Sequence, residues 1–212
     1  MLLLSVIIPV YNESATLPEL LKRVMEVPVE KEILIVDDGS TDGTGDFLKG
    51  LADKTVTVLR HDANRGKGAA IRTALPHTRG QFVIIQDGDL EYDPMDYLVL
   101  LRAIHDSDGV VYGSRNLNPR SGKSYLMYWL GGIALSWLAN GLYGYRLTDE
   151  ASGYKLFRAS LIHSIDLGCV GFEFCAEVTA KLGKRKIRIK EVPISYCPRN
   201  FEEGKKIRWT DG

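Results

Sequence analysis

Three carboxylates at alternating positions, Asp87, Asp89 and Glu91, have the residue types and the spacing of a cation site. They follow the apolar segment 82–85, which is predicted to be a buried strand. If the chain stays extended, Asp87 and Asp89 point the same way, and Gly88 lets a ligand approach the backbone. Carboxylate oxygens suit Mg²⁺ or Mn²⁺, which completes its coordination from substrate phosphates and water. The alternative is a solvated acidic turn.

A second polar cluster, residues 37–44, follows the apolar segment 33–36. Its carboxylates could accept hydrogen bonds from a base or a ribose, and Asp38 is the predicted contact. The cluster also contains residue types that begin helices, among them Asp42. Both interpretations can hold together, with Asp42 capping the next helix and Asp38 binding the ligand.

Pro9, Tyr11 and Glu13 lie where the first apolar segment ends. A tyrosine can stack on a nucleobase, and a carboxylate can accept from a ring N–H or a ribose hydroxyl. Pro9 is expected to end the strand and shape the loop. These residues predict a nucleotide contact only in combination with the other clusters.

Residues 64–68 combine glycines, Lys67 and the start of a predicted helix. A helix amino terminus with a lysine suits an anion. The P-loop pattern is not matched, because Lys67 is followed by Gly68. A phosphate contact from Lys67 and a solvated lysine are both open.

A fourth cluster, residues 148–155, places acidic residues before a Ser-Gly turn. It could hold the acceptor of a transfer reaction or a general base. A helix-capping box is the alternative, although the sequence matches that pattern only in part.

The elements that position these clusters alternate between short apolar runs and helical patterns. Strands are predicted at 4–10, 33–36, 56–59 and 82–85, and helices near 17–25, 42–52, 68–75 and 94–105. This alternation predicts an α/β fold with a mostly parallel central sheet flanked by helices. Ligands of such sheets bind beyond the carboxyl ends of the strands, where the polar clusters lie.

The second half differs because residues 125–143 are apolar and aromatic and carry no charge. Three interpretations are open: a membrane-spanning helix, a helix lying on a membrane surface, and a helix packed into the core. The glycines and polar residues inside the segment make it a poor spanning helix. A helix at 174–182 and an alternating strand at 187–196 are predicted beyond it.

The composition limits the classes of function. The 212 residues suffice for one compact domain, and 27 basic against 27 acidic residues give no overall field toward nucleic acid. Three cysteines without CxxC spacing predict neither a disulfide framework nor a zinc site, and they fit a reducing compartment. The four scattered histidines are expected at the surface or as caps. The amino terminus is predicted not to be a signal peptide.

Seven segments, taken in order, resemble glycosyltransferase family 2, in its branch close to dolichyl-phosphate mannose synthases and bacterial polyprenyl-phosphate glycosyltransferases. They are PVYNE, DDGSTDGT, NRGKGAA, DGDLEYDP, GSR, TDEASGYKLF and EVPISYCPRNFEEGKKIRW. The resemblance covers nearly the whole chain and implies a single domain of GT-A fold and an inverting transfer. The nucleotide-sugar half is expected at residues 1–115 and the acceptor and membrane-facing half at residues 116–212.

The resemblance also implies roles for residues. It places Asp87 and Asp89 on the metal, with Glu91 contributing. It implies that four residues surround the nucleotide, namely Pro9, Tyr11, Glu13 and Asp38. It puts near phosphates the basic tail and Gly113, Ser114 and Arg115. One departure weakens the lipid-acceptor expectation: mannose synthases carry more arginine before their hydrophobic helices, whereas this chain has Arg120 and Lys123.

In the expected reaction an acceptor oxygen attacks the anomeric carbon of a UDP- or GDP-sugar, while a metal and cationic side chains neutralise the departing diphosphate. A polyprenyl phosphate acceptor is already ionised at neutral pH and needs no strong base. A sugar hydroxyl needs one, and Asp149 is the candidate. Asp89, Asp149 and Arg115 form the predicted catalytic set. The alternatives are transfer to a saccharide or protein hydroxyl, and an inactive nucleotide-sugar-binding module.

The tail carries four cations, Arg199, Lys205, Lys206 and Arg208. We expect them to form a flap over the donor diphosphate or the acceptor phosphate, with Gly204 as the hinge. A solvated tail is the alternative. The expected location is the cytoplasm, at the cytoplasmic face of a membrane, with a lipid phosphate acceptor, peripheral membrane contact and no nucleic acid.

Overall fold

The computed structural model describes residues 3–105, 109–122 and 126–199. The first half contains β1 (Leu4–Val10), α1 (Leu17–Glu26), β2 (Lys31–Asp37), α2 (Thr44–Lys49), β3 (Val56–Arg60), α3 (Lys67–Ala74) and β4 (Phe82–Ile85). The second half contains α4 (Tyr97–Ala103), β5 (Val110–Ser114), α5 (Leu126–Tyr143), β6 (Lys155–Arg158), α6 (Ala159–Ser164), α7 (Phe174–Lys184) and β7 (Lys190–Pro193). Single 3₁₀ turns precede α4 and follow α3.

The described strands form one seven-stranded sheet in the order β3-β2-β1-β4-β6-β5-β7. Strand β6 is antiparallel to β4 and β5, and the other neighbouring strands are parallel. The predicted α/β fold with a mostly parallel sheet is therefore confirmed. Because β1, β2 and β4 are parallel neighbours, the loops after them meet at one edge of the sheet.

Both faces of the central strands β1, β2 and β4 are buried, which explains their continuous apolar runs. In β1, Leu4, Val6 and Ile8 pack in the cluster that contains α1 and α4 residues, and Ile7 packs in the cluster on the other face. The alternation follows from the two-residue period of a strand. The site loops thus extend from a rigid layer.

Helix α5 lies on the surface of the domain. Trp137 is 76% exposed and Met127 69% exposed, whereas Ser136 and Ala139 are buried against the protein. The core-helix interpretation of residues 125–143 is therefore wrong for the outward side of α5. Within the described ranges, no helix has the length and hydropathy needed to cross a bilayer. Contact with a membrane surface stays a prediction.

Three elements of the second half were not predicted, namely β5, β6 and α6. Each is short, and β6 is defined by its pairing with β4 and β5, which lie far away in the sequence. The strand predicted at 187–196 is shorter, since β7 covers Lys190–Pro193 and only a single bridge joins Tyr92 to Tyr196 beyond it.

Candidate functional site

A buried glutamine holds the acidic segment that follows β4. The side-chain oxygen of Gln86 accepts hydrogen bonds from the hydroxyls of Tyr97 and Tyr154, each at 2.6 Å, and its amide donates to the carbonyl of Asp87 at 3.0 Å. A Cβ at Gly153 would collide with the carboxylate of Asp87. Sequence reasoning missed these supports, although a glutamine directly after a buried strand must find partners.

Asp87 and Asp89 each face a cationic side chain. The ammonium of Lys67 pairs with Asp87 Oδ1, and Arg199 Nη2 donates to Asp89 Oδ2 at 2.7 Å. The side chain of Lys67 is only 15% exposed, so the solvated-lysine interpretation is wrong. Arg199, the first cation of the tail, and Lys67, the first residue of α3, therefore meet at the predicted metal site.

Glu91 has a different set of contacts. Its carboxylate accepts from the Tyr196 hydroxyl at 2.8 Å and from the backbone N–H of Arg199 at 2.9 Å. Within the part of the chain that the structure describes, no three His, Cys, Asp or Glu side chains are grouped as a metal site. In the structure Lys67, Arg199 and Tyr196 contact the carboxylates of Asp87, Asp89 and Glu91, and a metal contact of Glu91 stays a prediction. Metal binding by Asp87 and Asp89 stays a prediction.

Asp87, Asp89 and Glu91 together form an acidic centre, in which negative charges lie close to one another. Burial, together with the charges of Asp87 and Glu91, raises the pKa of Asp89 to about 7, while Arg199 acts in the opposite direction. Burial alone would lower the pKa of Lys67, but the charge and hydrogen bond of Asp87, together with Cys175 and Tyr92, raise that pKa above its usual value. The acidic centre therefore favours cations, whether these are side chains of the protein or a bound metal ion.

Asp38 is buried and turned toward its own protein. Its carboxylate accepts from the backbone N–H groups of Arg65 at 2.9 Å and Gly66 at 2.7 Å, and it pairs with His61 Nδ1 at 2.6 Å. The other ring nitrogen of His61 lies 2.9 Å from the Thr73 hydroxyl. The expectation of a surface or capping histidine is thus wrong for His61. A direct contact of Asp38 with a nucleotide stays a prediction, and what the structure shows is a carboxylate that fixes the loop before α3.

The amino terminus of α3 is not open to an anion. The N–H groups of Gly68 and Ala69 donate to the carbonyls of Gly171 and Val170, each at 3.0 Å. Gly66, with φ +95°, lets this loop approach, because a Cβ there would overlap the Val170 carbonyl. The anion site expected from the helix terminus is therefore corrected: the side chain of Lys67 is what points to the acidic centre.

The end of β1 lies beside the same centre. Pro9 falls inside β1 rather than ending it, which the sheet tolerates because β4 pairs with β1 only as far as Ile7. Tyr11 is 37% exposed, and Glu13 Oε2 accepts from Thr16 at 2.6 Å and from Arg199 at 3.3 Å. Glu13 thus joins the loop after β1 to the tail, while nucleotide contacts of these residues stay predictions.

Arg115 and Asp149 form a two-point ion pair at the end of β5. Arg115 Nε and Nη2 donate to the two oxygens of Asp149, each at 2.7 Å, and the Arg115 backbone N–H donates to Oδ2 at 2.9 Å. Asp149 is 1% exposed, and its own N–H donates to Glu191 at 3.0 Å. Asp149 therefore positions a guanidinium, and this use of both carboxylate oxygens does not suit the general base expected from the sequence.

A cavity of about 680 Å³ opens beside this ion pair, between α5 and the segment after β5. Its lining includes the polar side chains of Arg115 and Thr148 and, from α5, the indoles of Trp129 and Trp137. Arg115 also lies over the ring of Tyr196, with 5.1 Å from Cζ to the ring centroid. The cavity therefore joins a cation to an aromatic surface. Its aromatic lining and the linking Tyr196 were missed from the sequence.

The remaining tail residues of the predicted flap, Lys205, Lys206 and Arg208, lie outside the described residues. Arg199 is described and already contacts Asp89 and Glu13. A flap that closes over phosphates stays a prediction.

Residues 5–165 match the sequence profile described as Glycosyl transferase family 2. The chain is 34% identical over 214 residues to the undecaprenyl-phosphate mannosyltransferase of Micrococcus luteus, covering 94% of this chain and 85% of that one. It is 31% identical over 209 residues to the polyprenol monophosphomannose synthase of Mycolicibacterium smegmatis, covering 92% and 78%.

Among solved structures, the chain is similar to glucosyl-3-phosphoglycerate synthase from Mycobacterium tuberculosis in complex with Mn²⁺, uridine diphosphate and phosphoglyceric acid. The TM-score is 0.72 at 21% identity, and the match covers 95% of this chain and 72% of the other. At that identity the likeness concerns the fold.

Proposed function

Because the chain belongs to glycosyl transferase family 2, we propose that it moves a sugar from a nucleotide diphosphate sugar to the phosphate of a polyprenyl phosphate. The family membership, the class of enzyme and the GT-A fold agree with what the sequence predicts. The donor, the acceptor, the inversion and the metal are parts of the proposal.

The cavity beside Arg115 is the observation that supports a polyprenyl phosphate as the acceptor. A guanidinium binds phosphate oxygens through paired, charge-assisted hydrogen bonds. The indoles of Trp129 and Trp137 offer an apolar surface along the same cavity. A molecule with a phosphate at one end and a hydrocarbon chain at the other matches both parts. The names of the similar mannosyltransferases point to the same acceptor class.

The state of Asp149 also favours a phosphate over a hydroxyl. Both of its oxygens bind Arg115, so it is poorly placed to take a proton from an attacking hydroxyl. A phosphate monoester with a second pKa near 6 is already largely ionised at neutral pH and needs no such base. In this arrangement Asp149 keeps Arg115 oriented toward the acceptor.

The acceptor and donor sides meet at Tyr196. Its ring lies under Arg115 and its hydroxyl donates to Glu91 at 2.8 Å. The reacting atoms are proposed to meet between Arg115 and the carboxylates of Asp87 and Asp89. There an acceptor oxygen forms a bond to the anomeric carbon while the bond from that carbon to the diphosphate breaks, which inverts the centre.

Asp87 and Asp89 fit a divalent cation by their chemistry. They supply oxygen ligands, and the crowding that raises the pKa of Asp89 is relieved by added positive charge. Mg²⁺ and Mn²⁺ need few protein carboxylates when substrate phosphates and water supply the remaining oxygens. When bound, the cation would neutralise charge on the departing diphosphate. Lys67, held against Asp87, would act on the same phosphates.

Helix α5 is proposed as the surface that meets the membrane in which such a lipid resides. Its outward side exposes Met127, Leu130, Trp137, Leu138 and Leu142. Exposed apolar area of this kind marks an interaction surface. Peripheral contact there would bring the opening of the cavity to the lipid.

The proposal is tested by transfer assays with radiolabelled UDP-glucose, UDP-N-acetylglucosamine and GDP-mannose in the presence of Mn²⁺. Each donor is offered polyprenyl phosphate, the matching polyprenyl alcohol and an oligosaccharide. We expect one donor to label polyprenyl phosphate alone, in a product that releases its sugar in mild acid. Label in the alcohol or in the oligosaccharide instead would contradict the phosphate acceptor.

A further inference from the structure

Arg199 lies in the segment that follows β7, and its side chain extends into the acidic centre. Its Nη2 donates to Asp89 Oδ2 at 2.7 Å and its Nη1 donates to Glu13 Oε2 at 3.3 Å. The side chain is only 13% exposed. Its charge is thus placed among carboxylates in a largely buried setting, where electrostatic effects are stronger than in open water.

The guanidinium of Arg199 is attracted by the surrounding carboxylates, but its hydrogen bonds to them are poorly matched in geometry. Its Nε is buried and has no hydrogen-bond partner among the described residues, and it lies 4.0 Å from the nearest oxygen of Glu91. A buried donor left unmatched costs free energy. The two matched donors go to two different carboxylates, so the paired geometry that a carboxylate offers to an arginine is not used. A ligand that supplies better acceptors would therefore draw Arg199 away.

A metal ion held by Asp87 and Asp89 would share the Asp89 carboxylate with Arg199. A cation bound at Asp87 and Asp89 would lie against the guanidinium on Asp89 Oδ2, and like charges at that distance repel. The diphosphate of a donor would bring new acceptor oxygens for the displaced guanidinium.

We propose that Arg199 is an internal counter-ion that competes with the divalent cation for Asp89 and leaves this carboxylate when cation and nucleotide diphosphate bind together. The inference rests on the proposed function, from which it takes the cation. It makes the binding of metal and nucleotide cooperative: the cation alone must displace Arg199 from Asp89, whereas the nucleotide gives the displaced Arg199 a new partner.

The test measures Mn²⁺ binding to the full chain without nucleotide, from the electron paramagnetic resonance signal of free Mn²⁺. Arg199→Gln should bind Mn²⁺ about tenfold more tightly than the wild type, since a competing charge is removed. Arg199→Lys keeps the charge and should stay near the wild type. Lys49→Gln removes a lysine from an exposed pair with Asp46, far from the centre, and should change nothing.

A second readout follows from the cooperativity. Adding uridine diphosphate should tighten Mn²⁺ binding in the wild type about tenfold more than in Arg199→Gln, because the variant has no competitor left to displace. Arg199→Met, which keeps an apolar stem, must agree with Arg199→Gln, and circular dichroism checks that both variants are folded.

Two outcomes separate the possible failures. If Asp89→Asn abolishes Mn²⁺ binding but Arg199→Gln binds no more tightly than the wild type, the cation site stands and the counter-ion role is overturned. If Asp89→Asn leaves Mn²⁺ binding unchanged, the cation does not use this centre. The metal part of the proposed function then fails together with the inference.

Discussion

The molecule contains two buried arginine–carboxylate contacts that differ in how well their geometry is matched. Arg115 binds both oxygens of Asp149, each at 2.7 Å. Arg199 divides its donors between Asp89 and Glu13 and leaves Nε unmatched. The first contact has the geometry of a permanent ion pair, and the second has that of a contact which can be exchanged.

The difference follows from the elements that carry each arginine. Arg115 directly follows β5, and Asp149 is fixed by Glu191 of β7, so both partners are held by strands of the sheet. Arg199 lies beyond the last described strand. We infer that the proposed acceptor side is organised before substrate arrives, whereas the proposed donor side is completed by its ligands.

Removing a negative charge from the proposed donor side should give the largest loss of activity. Asp89→Asn takes one of the two carboxylates proposed to hold the cation and should lower kcat/KM at least about 10³-fold, since charge on the departing diphosphate is no longer neutralised. Asp62→Asn, an exposed aspartate, serves as the matched control and should keep wild-type kinetics. Near-normal turnover of Asp89→Asn would refute its role.

Arg115→Lys tests the acceptor side. A lysine cannot reproduce the two-point contact with Asp149, so the acceptor phosphate should be poorly oriented and kcat/KM for the lipid phosphate should fall about 100-fold. The KM of the donor should stay unchanged. A rise in donor KM with an unaffected acceptor would place Arg115 on the wrong side of the reaction.

Chemical denaturation compares the two arginines directly. Arg115→Gln breaks a buried, matched pair and should lower the free energy of unfolding by about 3 kcal/mol. Arg199→Gln removes a poorly matched contact and should cost no more than about 1 kcal/mol. Equal losses for the two variants would mean that Arg199 is as permanent as Arg115.

A smaller effect concerns the loop that covers the start of α3 and so supports Lys67. Burial would raise the pKa of Glu177, but contacts from Cys169, Lys181 and the Gly168 N–H lower it from 4.5 to about 2. A carboxyl whose pKa is lower in the folded state stabilises the fold above its unfolded pKa, and this stabilisation is lost as the pH falls toward the folded value.

Glu177→Gln should therefore destabilise the protein by about 1 kcal/mol at pH 7 and by much less near pH 3. Denaturant titrations at both pH values measure the difference. A cost that is the same at pH 7 and pH 3 would show that the charge of Glu177 does not support the loop.

The sequence predicted well what depends on local pattern. The apolar runs and helical periodicity of the first half located β1 to β4 and the polar clusters at their ends, because a parallel sheet buried on both faces imposes that pattern. It did not predict β6, whose four residues become a strand through pairing with β4 and β5.

The site was predicted in its residue types more than in its contacts. Asp38 pairs with His61, and Asp149 pairs with Arg115. The N–H groups at the start of α3 donate to the carbonyls of residues 170–171. Each of these partners is distant in the sequence, so no local pattern could reveal the pairing. Charge and spacing locate a site, whereas tertiary contacts decide which of its groups remain for the ligand.

If the proposed acceptor side is organised before the donor binds, the protein should bind a lipid phosphate without nucleotide or metal. A short-chain prenyl phosphate is titrated into the metal-free and nucleotide-free protein, and tryptophan fluorescence reports contact with Trp129 and Trp137. We expect saturable binding that Arg115→Gln weakens about tenfold and Arg199→Gln leaves unchanged. Equal weakening by both variants, or equal binding of the prenyl alcohol without phosphate, would contradict it.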